Sequence, residues 1–489
     1  MYLNYKGIMR LVSVFMMVIA TAMIPSVLVG IIYGETSQAL VFTAVCAAIA
    51  LAGFVLSKIF KNAEGHFKIR EGFMVVFSCW ILAGLLGALP YYFSGCGMGL
   101  IDSIFESVSG FTTTGATVTR NVEALPHSIL FWRAFSQWLG GFGIVFVPIA
   151  LLPALGIEGY SIVRAEMSGT IVNKVVPKLS DSARRMIFVL TVFTFLETIL
   201  LMFGGLSFFD ALTHSFTTIS TGGFSNYTDN LGHFGSNYVY CVFSVFMFLA
   251  GIDVSILARI LSGNFRDILA EQEPRYYAGL FAFFTGIITV FIIVSGVERD
   301  FFRVVAKSAF HVLATMTTCG FYSADFDIWP TFAKLLLLCL AVIGGCISST
   351  SGGIKVFRFI IFIKMIKRGA MLRLHPNAVY DVKFGERKVS SEIIQSVTGF
   401  LFLYILLLVI GTAALTFAGT DTLHSFVAVL ACINNLGPAL LLGSNVLNYG
   451  FFHDIVKILL CFIMLAGRLE LTTAVVIFSK YFWNPNRSR

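Results

Sequence analysis

Charged residues are scarce in this chain. Asp, Glu, Lys and Arg make up 12% of its 489 residues, about half of the roughly 25% found in an ordinary soluble domain. Hydrophobic residues make up 57%, among them 50 phenylalanines, and the mean hydropathy is +0.87. No stretch is polar and long enough to form a separate soluble domain. The shortage of charge therefore argues against a soluble protein and predicts a chain embedded in a lipid bilayer.

Motifs for catalysis are also missing. The sequence contains no HExxH zinc motif, no phosphate-binding Walker loop and no recognisable Ser-His-Asp arrangement. The eight histidines are dispersed, and His214 and His311 lie in short apolar helices, where packing is a commoner role than metal binding. The nine cysteines mostly lie in apolar runs, which is typical of buried small side chains rather than of a disulfide framework. We therefore predict that the chain is not an enzyme and has no cofactor.

The positive charges indicate orientation in the membrane. The net charge is +8, but Lys and Arg cluster in alternate loops, as the positive-inside rule requires of cytoplasmic segments. The clusters lie at residues 58–70, 164–185, 259–275 and 355–388. This placement predicts that both termini are cytoplasmic and gives no reason to expect nucleic acid as a partner. The apolar run at residues 11–33 is too long for a signal peptide and is predicted to be a retained helix.

Four similar units follow one another along the chain. Each consists of a long apolar helix, an apolar helix of about half that length, a polar loop and a second long helix. The half-length helices are predicted at residues 102–111, 210–219, 301–316 and 421–433. Because a spanning helix needs about 20 residues, these helices should enter the membrane and return on one side. Irregular backbone at that depth survives only inside protein or beside water, which predicts a central pore.

The predicted fold is an all-α integral membrane protein with four tandem helix–pore-helix–helix repeats around that pore. A transmembrane helical hairpin at residues 1–60 precedes the repeats. The repeats occupy residues 61–160, 161–265, 266–374 and 375–489, and the third contains an intramembrane loop. Continuous long helices are expected at residues 129–155, 238–257 and 452–482, among others.

A glycine closes the polar loop in each repeat. These glycines are separated by 107, 98 and 117 residues, so one unit recurs four times. The candidate ion-coordinating residues are Thr112, Thr113, Thr114 and Gly115; Ser220, Thr221 and Gly222; Thr318, Cys319 and Gly320; and Asn434, Asn435, Leu436 and Gly437. Each glycine alone could simply end a helix. Its recurrence in four hydrophobic repeats favours a filter in which main-chain carbonyls coordinate a dehydrated monovalent cation.

Acidic residues lie at both ends of these units. Asp102, Asp210 and Asp421 open three of the half-length helices and are predicted to be N-caps; a direct role in cation binding is the weaker alternative. Four more acidic residues follow the loops: Glu123, Asp229, Asp325 and Asp327. They either concentrate cations at the outer mouth of the pore or are ordinary solvated loop charges, and the sequence leaves both readings open.

The third repeat interrupts its last helix with a flexible polar segment. The candidate gate residues in it are Gly344, Gly345, Cys346, Ser348, Ser349, Gly352 and Gly353. A plain connecting loop is the alternative, but apolar runs on both sides favour an intramembrane loop lining the pore. Arg468, deep in an apolar segment, is the other gate candidate, because a buried positive charge opposes cation flow. A structural pair with Glu470 is weakened by i,i+2 spacing. Glu197 and Asp253 are expected to be structurally paired.

Several motifs together resemble the Trk/Ktr/HKT superfamily of potassium transporters over essentially the whole chain. Besides the four loops they are Arg164-Ala165-Glu166-Met167, Gly352-Gly353-Ile354-Lys355-Val356, His375-Pro376-Asn377-Ala378-Val379 and Gly467-Arg468-Leu469-Glu470. The N-terminal hairpin is similar to the longer Trk type rather than the shorter Ktr type. The resemblance implies a homodimer in the bacterial inner membrane, one pore per protomer, and a TrkA-like cytosolic ring that binds NAD(H) or ATP and controls gating. It also implies that the segment 344–353 and Arg468 form the constriction.

The function implied is gated, channel-like potassium uptake driven by the membrane potential, with potassium as substrate and the only metal ion bound. A glycine in all four loops resembles the potassium-selective members. The alternative is a symporter that couples potassium to protons or sodium. Such transporters usually contain inverted repeats, whereas the basic loops here place all four repeats in one orientation. A membrane enzyme finds little support.

Overall fold

The computed structural model describes residues 3–61, 69–143, 179–261, 263, 271–323, 328–385, 387–437, 448–469 and 471–483. Within them the chain is almost wholly helical. The N-terminal hairpin consists of α1 (Tyr5–Ile32) and α2 (Thr36–Ile59). The residues predicted as the first repeat contain α3 (Ile69–Phe93), α4 (Leu100–Phe111) and α5 (His127–Gly141), and those predicted as the second contain α6 (Leu179–Phe203), α7 (Phe208–Ile219), α8 (Asn237–Ala250) and α9 (Val254–Leu261).

The third repeat contains α10 (Gln272–Val294), α11 (Phe301–Met316), α12 (Thr331–Ile343) and α13 (Val356–Leu374). The fourth contains α14 (Ser391–Phe417), α15 (Thr422–Ile433), α16 (Asp454–Arg468), α17 (Leu471–Phe478) and α18 (Lys480–Trp483). A two-stranded antiparallel hairpin, β1 (Lys383–Phe384) with β2 (Arg387–Lys388), joins α13 to α14. Six of the described helices are long and apolar enough to cross a membrane, which confirms the prediction of a helical membrane protein.

The short helices α4, α7, α11 and α15 occupy the centre of the structure. Each packs between the long helix before it and the helix after it in its own repeat. Three of them also contact a helix of another repeat: α7 packs on α5, α11 on α8, and α4 on α16. Repeat 1 is therefore next to repeats 2 and 4, and repeat 2 is next to repeat 3. The N-terminal hairpin lies outside this group, with α1 packed on α3 and α5.

Two of the long helices predicted as continuous are broken. The predicted helix at 238–257 divides into α8 and α9, which meet at an angle of 110°. At the break, a Cβ on Gly251 would fall on the Tyr277 ring and close to Thr317, and the Asp253 carboxylate accepts from the Ser255 amide at 2.7 Å and caps α9. The predicted helix at 452–482 divides after Arg468. Of the predicted helix at 129–155, residues 144–155 lie outside the described part.

The predicted N-cap aspartates are only partly right. Asp421 caps α15, accepting from the Leu423 and His424 amides. Asp102 and Asp210 instead lie inside the first turn of their helices. The N-cap of α7 is Ser207, whose hydroxyl accepts from the Asp210 amide at 3.0 Å. The helix for which no aspartate was predicted, α11, is capped by Asp300. A cap needs extended backbone just outside the helix, and a sequence alone locates that residue only to within one or two positions.

Candidate selectivity filter and gate

The four short helices end in the same backbone conformation. Each has a C-cap residue, then a residue in the left-handed region, and two positions later a glycine that is also left-handed. The C-caps are Thr112, Ser220, Thr317 and Asn434. The left-handed residues are Thr113 (φ 55°), Thr221 (54°), Thr318 (57°) and Asn435 (53°), and the glycines are Gly115 (81°), Gly223 (74°), Gly320 (78°) and Gly437 (83°). We call residues 112–115, 220–223, 317–320 and 434–437 loops 1 to 4.

This repeated conformation corrects the register predicted for loop 2. The glycine equivalent to Gly115 is Gly223, and Gly222 is equivalent to Thr114. Subtracting positions, the four glycines are separated by 108, 97 and 117 residues. Because two glycines follow one another here, spacing alone could not choose between them. The positive φ of Gly223 identifies it as the equivalent glycine, because glycine is favoured where the backbone is left-handed.

The loops touch one another in order around a common centre. A Cβ built on the loop glycine would fall on a carbonyl oxygen of the neighbouring loop. The contacting pairs are Gly115 with the Gly222 carbonyl, Gly223 with the Cys319 carbonyl, and Gly437 with the Thr114 carbonyl. Loop 1 is therefore next to loops 2 and 4, and loop 2 is next to loop 3. Glycine is required at these positions by the positive φ and by the closeness of another backbone.

The side-chain hydroxyls of the C-cap residues point back into their own helices. Thr112, Ser220 and Thr317 each donate to the carbonyl four residues earlier at 2.7 Å. Four loop carbonyls accept from side chains: Ser220 from the Thr221 hydroxyl at 2.7 Å, Gly222 from Gln137 at 2.8 Å, Gly223 from the Asn230 amide at 3.4 Å and Gly437 from the Tyr449 hydroxyl at 2.8 Å. A carbonyl oxygen has two lone pairs, so each keeps one for a further donor or a cation.

The electrostatics of the loops favour a cation. Four helix C-termini, each with a partial negative charge, end at the loops, and the loops themselves contain no acidic side chain. Over the described ranges, no group of three or more His, Cys, Asp and Glu side chains is arranged to hold a metal ion. Main-chain oxygens are thus the groups available in the loops to replace the hydration shell of an ion.

Of the acidic residues beyond the loops, Glu123 makes a structural contact. The Glu123 carboxylate accepts from the Thr228 amide at 2.6 Å and from the Thr228 hydroxyl at 2.5 Å, and so ties the segment after loop 1 to the segment after loop 2. Burial raises the pKa of Glu123, but the Thr228 hydrogen bonds outweigh it and hold the pKa below its ordinary value. Asp229 lies at the start of the 3₁₀ helix Asn230–Phe234. Asp325 and Asp327 lie outside the described residues.

The predicted gate segment lies directly against the loops. We call residues 344–355, between α12 and α13, the gate loop. The Gly352 amide donates to the Thr318 hydroxyl at 2.7 Å, which joins the gate loop to loop 3. A Cβ on Gly352 would fall on the Asn434 carbonyl, so it also touches loop 4. The Thr350 hydroxyl donates to the carbonyl of Ile219, the last residue of α7, at 3.1 Å. Three of the four repeats therefore converge on this segment.

The gate loop is fixed at both ends by groups that the sequence did not single out. One Glu273 carboxylate oxygen accepts from the Ile347 amide at 2.8 Å and from the Phe357 amide at 3.2 Å. The break between α8 and α9 holds the loop from another side, since the Cys346 amide donates to the Gly251 carbonyl at 2.9 Å. Gly344 and Gly353 both have a φ of 78°; a Cβ on Gly344 would clash with the Gly352 carbonyl, and a Cβ on Gly353 would clash with the Gly344 backbone.

Arg468 joins the gate loop to the first repeat. Its guanidinium donates to the Thr350 carbonyl at 2.9 Å and to the Gly140 carbonyl, near the end of α5, at 2.7 Å. These contacts place Arg468 next to the other gate candidates and close to the loops. Glu470, the alternative partner, lies outside the described residues.

Three other titratable residues considered in the sequence analysis, Glu197, His214 and His311, are buried. In the part of the chain that the structure describes, neither carboxylate oxygen of Glu197 has a hydrogen-bond partner, so the expected structural pairing of Glu197 is not found there. His214 is buried and hydrogen-bonded to the Asp210 carbonyl and the Ser225 hydroxyl. His311 is buried beside the Ser323 hydroxyl.

A buried ion pair behind the loops escaped the sequence analysis. Glu106 in α4 accepts from Arg133 in α5 at 2.8 Å, and both side chains are almost completely buried. Both lie in segments predicted to be in the membrane, where a charged residue is itself a signal of function. That rule was applied to Arg468 and would have found this pair as well.

Comparison with known proteins gives a consistent result. The TrkH family, described as cation transport proteins, matches residues 38–297 and 301–487. The Trk system potassium uptake protein TrkH of Escherichia coli K12 is 34% identical over 484 residues, covering 98% of this chain and 100% of that protein. TrkG of the same strain is 32% identical, covering 94% of this chain and 95% of TrkG. The crystal structure of the potassium transporter TrkH from Vibrio parahaemolyticus superposes with a TM-score of 0.89 at 29% identity, covering 98% of this chain and 100% of that one.

Proposed function

From the premise that this chain belongs to the TrkH family and is a multi-pass membrane subunit of a Trk potassium uptake system, a transport protein rather than an enzyme, we propose that it is a gated, channel-like pathway for potassium. In this proposal loops 1 to 4 form one selectivity filter of main-chain carbonyls. The gate loop and Arg468 close the path beyond it.

The filter proposal rests on one observation: neighbouring loops approach each other closely, backbone to backbone. Three of the four loop glycines lie so close to a carbonyl of the next loop that a Cβ would collide with it. Loops at this separation around one centre aim several main-chain oxygens into a small volume. A single cation there can exchange its hydration shell for carbonyls, which is the chemistry of potassium filters.

The gate proposal rests on the contacts of Arg468 with the gate loop. A guanidinium beside the path raises the energy of a cation through Coulomb repulsion, which is stronger in a site of low dielectric than in water. The gate loop lies outside any helix, so its backbone can move without unwinding a helix, once its individual hydrogen bonds to Glu273, Gly251 and Thr318 are broken. Displacing Thr350 away from Arg468 would therefore open the path and release the guanidinium together.

The driving force in this proposal is the membrane potential. One elementary charge crossing it gains about 2.3 kcal/mol per 100 mV, which is sufficient to accumulate potassium without a second ion. The alternative, a symporter coupled to protons or sodium, is not favoured by any contact described above.

We also propose the assembly and its setting. The chain acts as a homodimer in the bacterial inner membrane, with both termini in the cytoplasm and a TrkA-like ring that binds NAD(H) or ATP as the regulator. The distribution of basic residues supports the orientation, and the "Trk system" in the names of the similar proteins supports a multi-component system.

Reversal potentials test this proposal. The purified protein is reconstituted in liposomes under a potassium gradient, and the zero-current potential is measured while pH and sodium are fixed and then varied singly. A channel-like pathway gives a potential that follows the potassium gradient alone. A potential that shifts with the proton or sodium gradient would support the symporter and contradict the proposal.

A further inference from the structure

Helix α5 presents two polar side chains to the seam between loops 1 and 2. Arg133 and Gln137 are four residues apart and therefore lie on the same face of the helix. Arg133 is 2% exposed and Gln137 is 0% exposed. Large polar side chains at this depth are retained only where they have partners, and the hydrogen-bond partners of these two belong to the segments around loops 1 and 2.

Arg133 and Glu106 hold the segment that follows loop 1. The Glu106 carboxylate accepts from the Arg133 Nε at 2.8 Å, from the Thr117 hydroxyl at 2.9 Å and from the Val118 amide at 3.0 Å. Thr117 and Val118 follow loop 1 after one intervening residue, Ala116. The carboxylate thus binds the backbone at the exit of loop 1 and is neutralised by the guanidinium, which is the condition under which a buried charge is stable.

The same face of α5 holds loop 2. The Arg133 guanidinium donates to the Ser225 carbonyl at 3.1 Å, and its carbon lies 4.1 Å from the centre of the Phe224 ring. Gln137 makes a two-sided contact: its amide nitrogen donates to the Gly222 carbonyl at 2.8 Å, and its oxygen accepts from the Phe224 amide at 3.1 Å. Since a Cβ on Gly115 would fall on that Gly222 carbonyl, the contact fixes the spacing of the two loops.

We propose that Glu106, Arg133 and Gln137 form a clamp that positions loops 1 and 2 and thereby sets the preference for potassium over sodium. The inference rests on the proposed filter. A carbonyl ring discriminates between these ions only while its oxygens are held against closing around the smaller one. The clamp supplies that restraint between loops 1 and 2 through buried hydrogen bonds, of which those of Glu106 and Arg133 are charge-assisted.

The fold itself does not require an amide at position 137. Gly140 in α5 and Gly467 in α16 occupy equivalent positions. A Cβ on Gly140 would fall on the carbonyl of Phe111, the last residue of α4, and a Cβ on Gly467 would fall on the carbonyl of Ile433, the last residue of α15. Counting back three residues, Gln137 corresponds to Met464, which is buried in the core. A methionine of similar length therefore fits this place in the repeat, so Gln137→Met removes the hydrogen bonds of the clamp without leaving a buried charge unpaired.

The test measures the potassium-to-sodium permeability ratio from reversal potentials in liposomes. Gln137→Met should lower the ratio by about tenfold, equivalent to about 1.4 kcal/mol of discrimination, while potassium flux persists and the yield of folded protein is normal. Trp138→Phe, the next residue along α5, is the matched control: it removes the partly buried hydrogen bond from the Trp138 indole to the Thr194 hydroxyl of α6 (3.0 Å), which involves neither loop. It should lower the thermal stability and leave the ratio unchanged.

Arg133→Lys provides a second, independent variant. It keeps the positive charge, but one ammonium cannot span from the Glu106 carboxylate to the Ser225 carbonyl as the guanidinium fork does, so the ratio should fall here as well. The clamp is refuted if both variants keep the wild-type ratio, or if they only reduce the flux of both ions equally. A wild-type protein without potassium preference would instead overturn the proposed filter, so the two failures are distinguishable.

Discussion

Alanine at Gly223 should damage the protein more than alanine at Gly222, although the two residues are adjacent. At Gly223 the alanine would have to adopt a φ near 74°, and its Cβ would fall on the Cys319 carbonyl of loop 3. The left-handed conformation costs about 1–2 kcal/mol and the displaced packing about 1–3 kcal/mol, together about 2–5 kcal/mol. The displaced atom is backbone, so the strain passes directly into loop 3.

At Gly222 the backbone is not left-handed, and the added Cβ would meet the side-chain amide of Gln137. Only the packing cost of about 1–3 kcal/mol applies, and the end of a flexible side chain can move. Shortening that side chain in the double variant Gly222→Ala with Gln137→Ala should therefore restore part of the thermal stability, whereas Gly223→Ala with Gln137→Ala should restore none.

The assay combines thermal unfolding of the purified protein with potassium flux in liposomes. Gly223→Ala should lose flux by at least about tenfold relative to Gly222→Ala, which corresponds to about 1.4 kcal/mol. If Gly222→Ala proves the more harmful substitution and is not relieved by shortening Gln137, the register of loop 2 deduced from the repeated left-handed conformation is wrong.

Further predictions concern the filter, the gate and the outer segments. Gly115→Ser, at a φ of 81° against the Gly222 carbonyl, should reduce the potassium-to-sodium permeability ratio; an unchanged ratio counts against the filter. Arg468→Ala should raise the basal potassium flux, and an equal or lower flux at normal expression would remove the barrier interpretation. Deleting residues 345–351 should leave a leakier path, and a variant that still closes would contradict the gate. The depressed pKa of Glu123 means that its contacts stabilise the protein above the ordinary carboxyl pKa and stop doing so as the pH falls through the lowered value. Because Glu123 is largely exposed, the difference in unfolding free energy between wild type and Glu123→Gln should be only about 0.2–1 kcal/mol at pH 7 and vanish in acid; a difference that persists in acid would refute this.

The sequence predicted the repeated features best. Hydrophobic length identified the membrane helices, and the short helices α4, α7, α11 and α15 lie within a few residues of their predicted positions. Loops 1, 3 and 4 were predicted in the register that the backbone adopts. These features depend on local composition, which repeats four times and so reinforces each weak signal.

Features that depend on contacts between distant residues were harder to predict. At the break, Gly251 lies against Tyr277 and Thr317 of another repeat, which leaves no room for a side chain, whereas hydropathy alone predicts a continuous helix there. Glu273 is an ordinary first-turn acidic residue in the sequence, yet its carboxylate fixes both ends of the gate loop. Such roles follow from tertiary packing, which a pattern along one segment does not contain.

The ion pair of Glu106 and Arg133 is an intermediate case. A charged residue in an apolar segment indicates a partner or a function, so each residue could have been singled out. The pairing of Glu106 with Arg133 depends on the packing of α4 against α5, and their contacts with loops 1 and 2 also depend on the packing of α5 against α7. The sequence could thus have predicted the presence of a site but not its geometry.

Direct location of the transported ion tests most sharply whether the four loops form one filter. Crystals grown with thallium in place of potassium would be measured for anomalous scattering, with sodium-grown crystals as the control. We predict a peak enclosed by the carbonyls of all four loops, absent in sodium. A peak located elsewhere in the protein, or loops that hold no ion while potassium is transported, would contradict the proposed filter.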